Sequence, residues 1–164
     1  MRSALLACGV VICCCVVLAW QPVRASADGG NLDRTERKVI RLVNRIRGHH
    51  GLRRLKTSRR LARAASQHTG DMVARNFLSH ASSDGTGMAQ RVRRYTGARW
   101  VGETIAVVAG RGTASRTVRL WMHSPPHRAV LLSPAGRRIG VGKRRGRLGS
   151  ARRAVFTADL ASRH

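Results

Sequence analysis

The position of the cysteines constrains the fold of this 164-residue chain more than any other feature. All four of them, Cys8, Cys13, Cys14 and Cys15, fall within the first 15 residues. A disulfide framework or a zinc finger needs cysteines spread along the fold, so the rest of the chain can build neither. Stability must therefore come from a packed core. Hydrophobic residues make up 43% of the sequence, which is enough for one domain.

The first 27 residues have the pattern of a secretory signal peptide. Arg2 gives a positive start, residues 4–20 form a largely apolar run, and Ala25-Ser26-Ala27 is a small-residue cleavage motif. The alternative is a retained membrane anchor, because the run approaches the length that spans a bilayer. We expect cleavage, since no basic stop-transfer cluster directly follows the run. The prediction is a secreted bacterial protein, extracellular or associated with the cell envelope, with a short flexible lead at 28–34 and one domain at 35–162.

Apolar periodicity predicts several helices and short strands in that domain. Asp33 and Glu36 lie three residues apart and fit a capping box at the start of the first helix. Thr57 or Ser58 can cap a second helix, and Asn76 is its expected left-handed terminator. The other predicted elements are helices at about 34–47, 88–95 and 113–123, a helical turn at 128–132, and strands at 101–108, 139–142 and 154–160, with a connection at 145–150.

Three polar side chains stand out by position. Glu103 interrupts an apolar strand, where an unpartnered charge is costly. His80 follows the second helix and His127 follows the third. These groups could hold a divalent metal whose shell is completed by water, or act as a base with its orienting partners. Spacing alone does not choose between these interpretations, because the histidines are far apart in the chain.

Several ordered motifs lie at intervals typical of one known family. They are Asn76-Phe77-Leu78-Ser79-His80, Gly102-Glu103-Thr104-Ile105-Ala106, residues 121–128 and Ile139-Gly140-Val141-Gly142. Together they resemble the CAP superfamily (SCP domain), which includes cysteine-rich secretory proteins, antigen 5 and plant pathogenesis-related proteins. The resemblance covers about residues 35–160 and is strongest to a cysteine-free bacterial branch.

The resemblance implies an α+β fold, a three-layer α-β-α sandwich with helices on both faces of a small antiparallel sheet. It also implies a cleft in which two histidines meet two acidic residues. His80, Glu103 and His127 match three of those positions, and Ser124 stands where the family has its second glutamate. Family members that bind divalent ions do so through the two histidines, so zinc or another divalent cation is the implied cofactor. Because Ser124 carries no charge, we expect a weaker site here, or one completed by water.

Two further residues belong to the expected cleft region. His68 lies on the inward stripe of the second helix, where a core histidine bonded to the backbone is favoured over a ligand. Trp121 is expected in the core or in the cleft wall.

Other polar residues have structural interpretations. Asp71 and Asp84 are expected to fix turns or to pair with Arg75 and Arg91. Serines near the histidines suggest a Ser-His hydrolase, but the sequence contains no Gly-x-Ser-x-Gly nucleophile motif, which disfavours that class.

Positive charge dominates the sequence, with 32 lysines and arginines against 7 aspartates and glutamates and a formal net charge of +25. Such a field attracts polyanions, and a secreted protein would meet anionic cell-envelope polymers or lipids. Specific nucleic-acid recognition is not expected, because aromatic residues for base stacking are only 4% of the chain. A GC-rich genome would also enrich arginine without selection for a partner, and composition does not separate the two explanations.

Three functions remain open on the sequence alone. The first is a secreted CAP-domain protein whose cleft binds a divalent metal or a small, lipid-like ligand, with catalysis unproven. The second is a metal-assisted hydrolase, in which His80 and His127 hold the ion and Glu103 activates water. The third is a basic cell-surface module that binds polyanions.

Overall fold

The computed structural model describes residues 31–163, which form five helices and four strands. The predicted signal peptide and the four cysteines lie outside the described residues. Within that range, no helix is both long and apolar enough to cross a membrane. The helices are α1 Arg34–His49, α2 Arg59–Ala74, α3 Met88–Thr96, α4 Ala114–His123 and α5 Pro125–Leu131, and the strands are β1 Lys56–Thr57, β2 Val101–Ala109, β3 Arg138–Leu148 and β4 Ala151–Ala161.

Local signals in the sequence fix the ends of the first two helices. The Glu36 N–H donates to Asp33 at 2.6 Å and the Asp33 N–H donates to the Glu36 carboxylate at 2.6 Å, which confirms the capping box. Ser58 caps α2 by accepting from the Leu61 N–H. Asn76 follows α2 with φ of 54°, the left-handed conformation expected of a terminator.

The sheet has the strand order β1-β3-β4-β2 and confirms the α+β class. β2, β4 and β3 run antiparallel, as expected, but β1 adds a parallel edge, so the sheet is mixed. The Lys56 N–H donates to the Arg137 carbonyl and the Ser58 N–H to the Ile139 carbonyl, both at 2.9 Å. Sequence periodicity misses β1 because its two residues are polar and exposed.

The last two strands form a longer hairpin than the sequence predicts. β3 continues to Leu148 and β4 begins at Ala151, so the predicted connection at 145–150 is mostly strand and the turn is only Gly149-Ser150. The apolar pattern ends early because the outer half of β3 is mostly basic, with the sequence Lys143-Arg144-Arg145-Gly146-Arg147-Leu148, which leaves no apolar face to detect.

One face of the sheet carries the larger apolar core. α1, α4 and α5 pack there against alternate residues of the strands. Val39 and Val43 of α1, Trp121 of α4, and Phe156 and Leu160 of β4 are at most 2% exposed. The terminal hairpin thus supplies the floor on which these helices lie.

The other face is covered by α2 and α3, and α2 lies directly on the backbone of β3. A Cβ atom at Gly140 would overlap the backbone of Leu61 and Ala62, and one at Gly142 would overlap the backbone at Ser66. Glycine is therefore required at both positions by close approach rather than by an unusual φ angle. The helices on both faces confirm the three-layer arrangement.

Candidate histidine–glutamate site

Glu103 lies on the α2-facing side of β2 and is almost completely buried. Its side chain has no exposed area, and it stands opposite Asp159 in the β2–β4 register. Such a charge needs compensation within the fold, because burying an unpaired carboxylate is costly. The structure provides that compensation from α3 and from the loop that follows α2.

Arg91 of α3 is the ion-pair partner of Glu103. Its Nη2 donates to Glu103 Oε2, and its Nη1 donates to the His80 carbonyl oxygen at 2.9 Å. Arg91 thus connects the carboxylate to the loop that carries His80.

No sequence pattern marks this role of Arg91. Of the two roles expected for Asp84, the turn is confirmed, because Asp84 accepts from the Thr86 N–H at 2.8 Å, whereas Arg91 pairs with Glu103 instead. The expected pair between Asp71 and Arg75 is present at 3.1 Å. A charged residue on a helix usually points to solvent, and nothing in the spacing of Arg91 marks it as buried.

His80 is held by the second oxygen of the carboxylate. Its Nδ1 lies 2.7 Å from Glu103 Oε1. Burial raises the pKa of Glu103, but the hydrogen bond from His80 and the charge of Arg91 outweigh it and hold that pKa below its ordinary value. Since the carboxylate carries no proton, Nδ1 must donate, which leaves Nε2 of a neutral His80 with its lone pair free.

His127 is the third residue of α5 and faces His80. Their ring centroids are 6.3 Å apart and the rings are tilted by 50°. The bond to Glu103 raises the pKa of His80, whereas burial and the nearby His80 lower the pKa of His127. The two imidazoles therefore differ in electrostatic environment although they are neighbours.

His68 of α2 is buried beside this pair and confirms the interpretation as a core histidine. Its Nε2 lies 2.9 Å from the Ser79 carbonyl oxygen, to which it donates, and 3.9 Å from Glu103 Oε2. Burial lowers the pKa of His68, which keeps the ring neutral at neutral pH. His68 thus helps to fix the backbone next to His80.

Asp159 is the second residue that sequence reasoning missed. Its side chain has no exposed area, and within residues 31–163 neither carboxylate oxygen has a hydrogen-bond partner. Burial and the negative charge of Glu103 raise the pKa of Asp159 well above its ordinary value. The signal that singled out Glu103, a carboxylate inside an apolar strand, is also present at Asp159.

Comparison with known proteins identifies the family. The family model described as "CAP: Cysteine-rich secretory protein family" matches residues 40–159. This chain belongs to the CAP family.

Bacterial proteins are among those similar to this chain. YkwD of Bacillus subtilis, an uncharacterized protein, is 32% identical over 108 residues, which cover 65% of this chain and 41% of YkwD. An extracellular SCP-domain protein of Bacillus anthracis superposes with a TM-score of 0.67 at 26% identity, over 79% of this chain and 40% of that one. An outer surface protein of Borrelia burgdorferi shares the fold, with a TM-score of 0.66 at 19% identity over 82% of this chain and 99% of its own. The chain thus spans less than half the length of YkwD.

Two further residues of the CAP motif have defined positions. Trp121 is fully buried in the apolar core, as expected. Ser124 joins α4 to α5 and caps neither helix through its side chain. The hydroxyl of Ser124 brings no negative charge to the part of this CAP domain that carries His127.

A metal ion at this site would depend on the two histidines for its protein ligands. Within residues 31–163, no group of three or more His, Cys, Asp or Glu side chains is arranged to hold an ion. The structure brings His80, Glu103 and His127 together, but the Glu103 oxygens are bonded to His80 and Arg91. These residues fit a metal site with two imidazole ligands completed by water, in which Glu103 accepts a hydrogen bond from one ligand, His80.

Proposed function

We propose that this chain is an extracellular bacterial CAP-domain protein that binds a divalent metal ion, with zinc as the first candidate, through Nε2 of His80 and His127. Secretion is supported by the signal-peptide pattern of residues 1–27 and by relatives described as extracellular or outer-surface proteins. Domains of this fold carry different activities, so the proposal depends on the site rather than on the fold.

The observation that carries the proposal is the 2.7 Å contact between His80 Nδ1 and Glu103 Oε1. A buried carboxylate that accepts from one ring nitrogen fixes the tautomer and raises the basicity of the other nitrogen toward a metal. The hydrogen bond from His80 and the charge of Arg91 hold the pKa of Glu103 below its ordinary value against the effect of burial. Glu103 and Arg91 thus orient His80 as a metal ligand, but neither is itself a third protein ligand.

The metal-assisted hydrolase is the less favoured proposal. A bound divalent ion would lower the pKa of a coordinated water. The hydrolase also needs Glu103 to take a proton from that water, but the Glu103 side chain has no exposed area and bonds to His80 and Arg91. This arrangement favours an orienting role for Glu103 over direct contact with a reacting water.

Zinc calorimetry tests the binding proposal. We expect one ion per chain in the parent protein and loss of binding in His80→Ala and in His127→Ala. His123→Ala is the matched control, because His123 is exposed on α4 and its Nδ1 bonds to the Arg119 carbonyl oxygen. Binding that survives both site variants, or is lost in His123→Ala, would contradict the proposal.

A second proposed function, binding of anionic cell-envelope polymers, is favoured by the outer half of the terminal hairpin. Arg147 stands directly opposite Arg152, both are exposed, and neither has a carboxylate within 4.0 Å in the described chain. Like charges placed opposite each other destabilise a sheet, so an anionic partner would relieve this repulsion. Retention on a phosphate-rich matrix should fall steeply with salt in the parent, and Arg147→Glu/Arg152→Glu should be released at a lower salt concentration. Equal retention of the parent and the variant would show that the hairpin does not bind the anionic matrix.

A further inference from the structure

A groove separate from the histidine site runs between α1 and the edge strand β1. Its volume is about 460 Å³. The floor is formed by Ile40 of α1, which is 6% exposed, and by Leu55, which precedes β1 and is 3% exposed. None of the residues that line it belongs to the histidine–glutamate site.

Four cations surround this floor, and the lining contains no acidic residue. Arg37 and Arg41 come from successive turns of α1, and Arg54 and Lys56 come from the opposite wall. All four are exposed, and none has a carboxylate within 4.0 Å in residues 31–163. Cations one helical turn apart repel each other, so this arrangement is unfavourable without an anion between the walls.

The backbone of β1 adds a hydrogen-bond donor to the same wall. The N–H groups of Lys56 and Ser58 donate to β3, so the N–H of Thr57 between them points to the open edge of the sheet. Thr57 itself lines the groove. An anion in the groove could therefore accept from a backbone N–H as well as from side chains.

The two walls are held at a fixed separation. The amide nitrogen of Asn44 donates to the Leu55 carbonyl oxygen at 3.0 Å, and the Leu55 N–H donates to the Asn44 amide oxygen at 2.7 Å. This buried reciprocal pair ties α1 to the segment before β1. A groove held in this way needs little reorganisation when a ligand binds.

We infer that this groove binds an organic phosphate, a phosphomonoester on a small apolar body. A phosphomonoester carries nearly two negative charges and three acceptor oxygens, which suit four cations and a backbone donor better than a carboxylate does. The apolar body would contact the exposed edges of Ile40 and Leu55 and lie along the aliphatic stems of the surrounding cations. With no aromatic side chain in the lining, the groove offers no stacking surface for a nucleobase.

Titration calorimetry with octyl phosphate tests the inference. We expect octyl phosphate to bind saturably. Octanoate, which lacks the phosphate, and inorganic phosphate, which lacks the apolar body, should each bind at least about tenfold more weakly. Octyl glucoside, which has the apolar body without the charge, should not bind. Equal binding of octyl glucoside, or no binding of octyl phosphate, would overturn the assignment.

Charge-reversal variants localise the binding. Arg41→Glu/Arg54→Glu should weaken octyl phosphate binding by about tenfold or more, because two of the four cations are reversed. Arg116→Glu/Arg119→Glu on α4 makes the same change in net charge with exposed residues outside the groove, and should bind within about twofold of the parent. Equal weakening by both variants would show a general field effect and refute the site. If the first pair unfolds, Arg41→Gln/Arg54→Gln gives the same comparison, and retention of binding in His80→Ala separates the groove from the proposed metal site.

Discussion

The two faces of the sheet pack against different kinds of side chain, and β4 contributes residues to both faces. Toward α1 and α4 it presents Phe156, Ala158 and Leu160, which join the larger apolar core. Toward α2 it presents Thr157 and Asp159, which lie among buried polar groups between two smaller apolar clusters. Neighbouring residues of one strand thus enter a purely hydrophobic interior on one side and a mixed, partly charged one on the other.

The two faces therefore contribute differently to the stability of the fold and to the geometry of the histidine–glutamate site. The α1 face is stabilised by removal of apolar surface from water, which requires no particular partner. On the α2 face Glu103 and Arg91 are buried as ions, and each is tolerable only because the other is present. The α2 face therefore positions His80 at a cost that the larger apolar core and the two smaller clusters on the α2 side must together offset.

Phe156→Ala should give the largest loss of stability. The side chain is completely buried in the apolar core, and its removal leaves a cavity. We expect the free energy of unfolding to fall by about 3–5 kcal/mol, measured by urea denaturation. In the folded fraction His80 should titrate as in the parent, because Phe156 points away from the site. A loss below about 1 kcal/mol would show that the apolar face is not the main source of stability.

Arg91→Met should cost about 3 kcal/mol, because it leaves the Glu103 carboxylate buried without its ion-pair partner. The double variant Arg91→Met/Glu103→Gln removes both charges and should recover part of that loss. Urea denaturation of the two single variants and the double variant measures the coupling between them. Additive losses would mean that the two side chains do not act as a pair.

Gly140→Ala should cost about 1–3 kcal/mol, since the new Cβ meets the backbone of α2 and the helix must move. Gly48→Ala, near the end of α1, is the matched control. A Cβ there meets nothing within 4 Å, so alanine should stabilise the helix slightly. Thermal unfolding of both variants compares them, and equal behaviour would contradict the close packing of α2 on β3.

Asp159→Asn should have a pH-dependent effect that is smallest near pH 4 and grows by up to about 1.4 kcal/mol for each pH unit above it, until the folded pKa is reached. The pKa of Asp159 is raised in the folded state. In the parent, this group therefore does not lower the free energy of unfolding at pH values below its unfolded pKa of about 3.9. As pH rises from there toward the folded pKa, the parent loses stability that asparagine keeps. The free energy of unfolding of the variant should therefore rise relative to that of the parent between pH 4 and pH 7, as measured by denaturation. A constant difference across this range would mean that Asp159 does not titrate with folding.

The same contrast explains which features the sequence could predict. Helix caps and apolar stripes depend on short-range patterns, so α1 and α2 were predicted with their caps. Glu103 was identifiable because a carboxylate in an apolar strand needs a partner. That partner, Arg91, depends on how α3 docks against β2, which no local pattern records. β1 has two polar residues and offers no periodicity.

Nuclear magnetic resonance of the histidine rings during a zinc titration tests the proposed site most directly. We expect His80 to carry its proton on Nδ1 before zinc is added. The Nε2 signals of His80 and His127 should then shift together and saturate at one ion per chain, while His123 is unaffected. In Glu103→Gln the pKa of His80 should fall and the zinc response should weaken. A His80 protonated on Nε2 in the parent, or zinc that shifts His123 before His80 and His127, would contradict the proposed site.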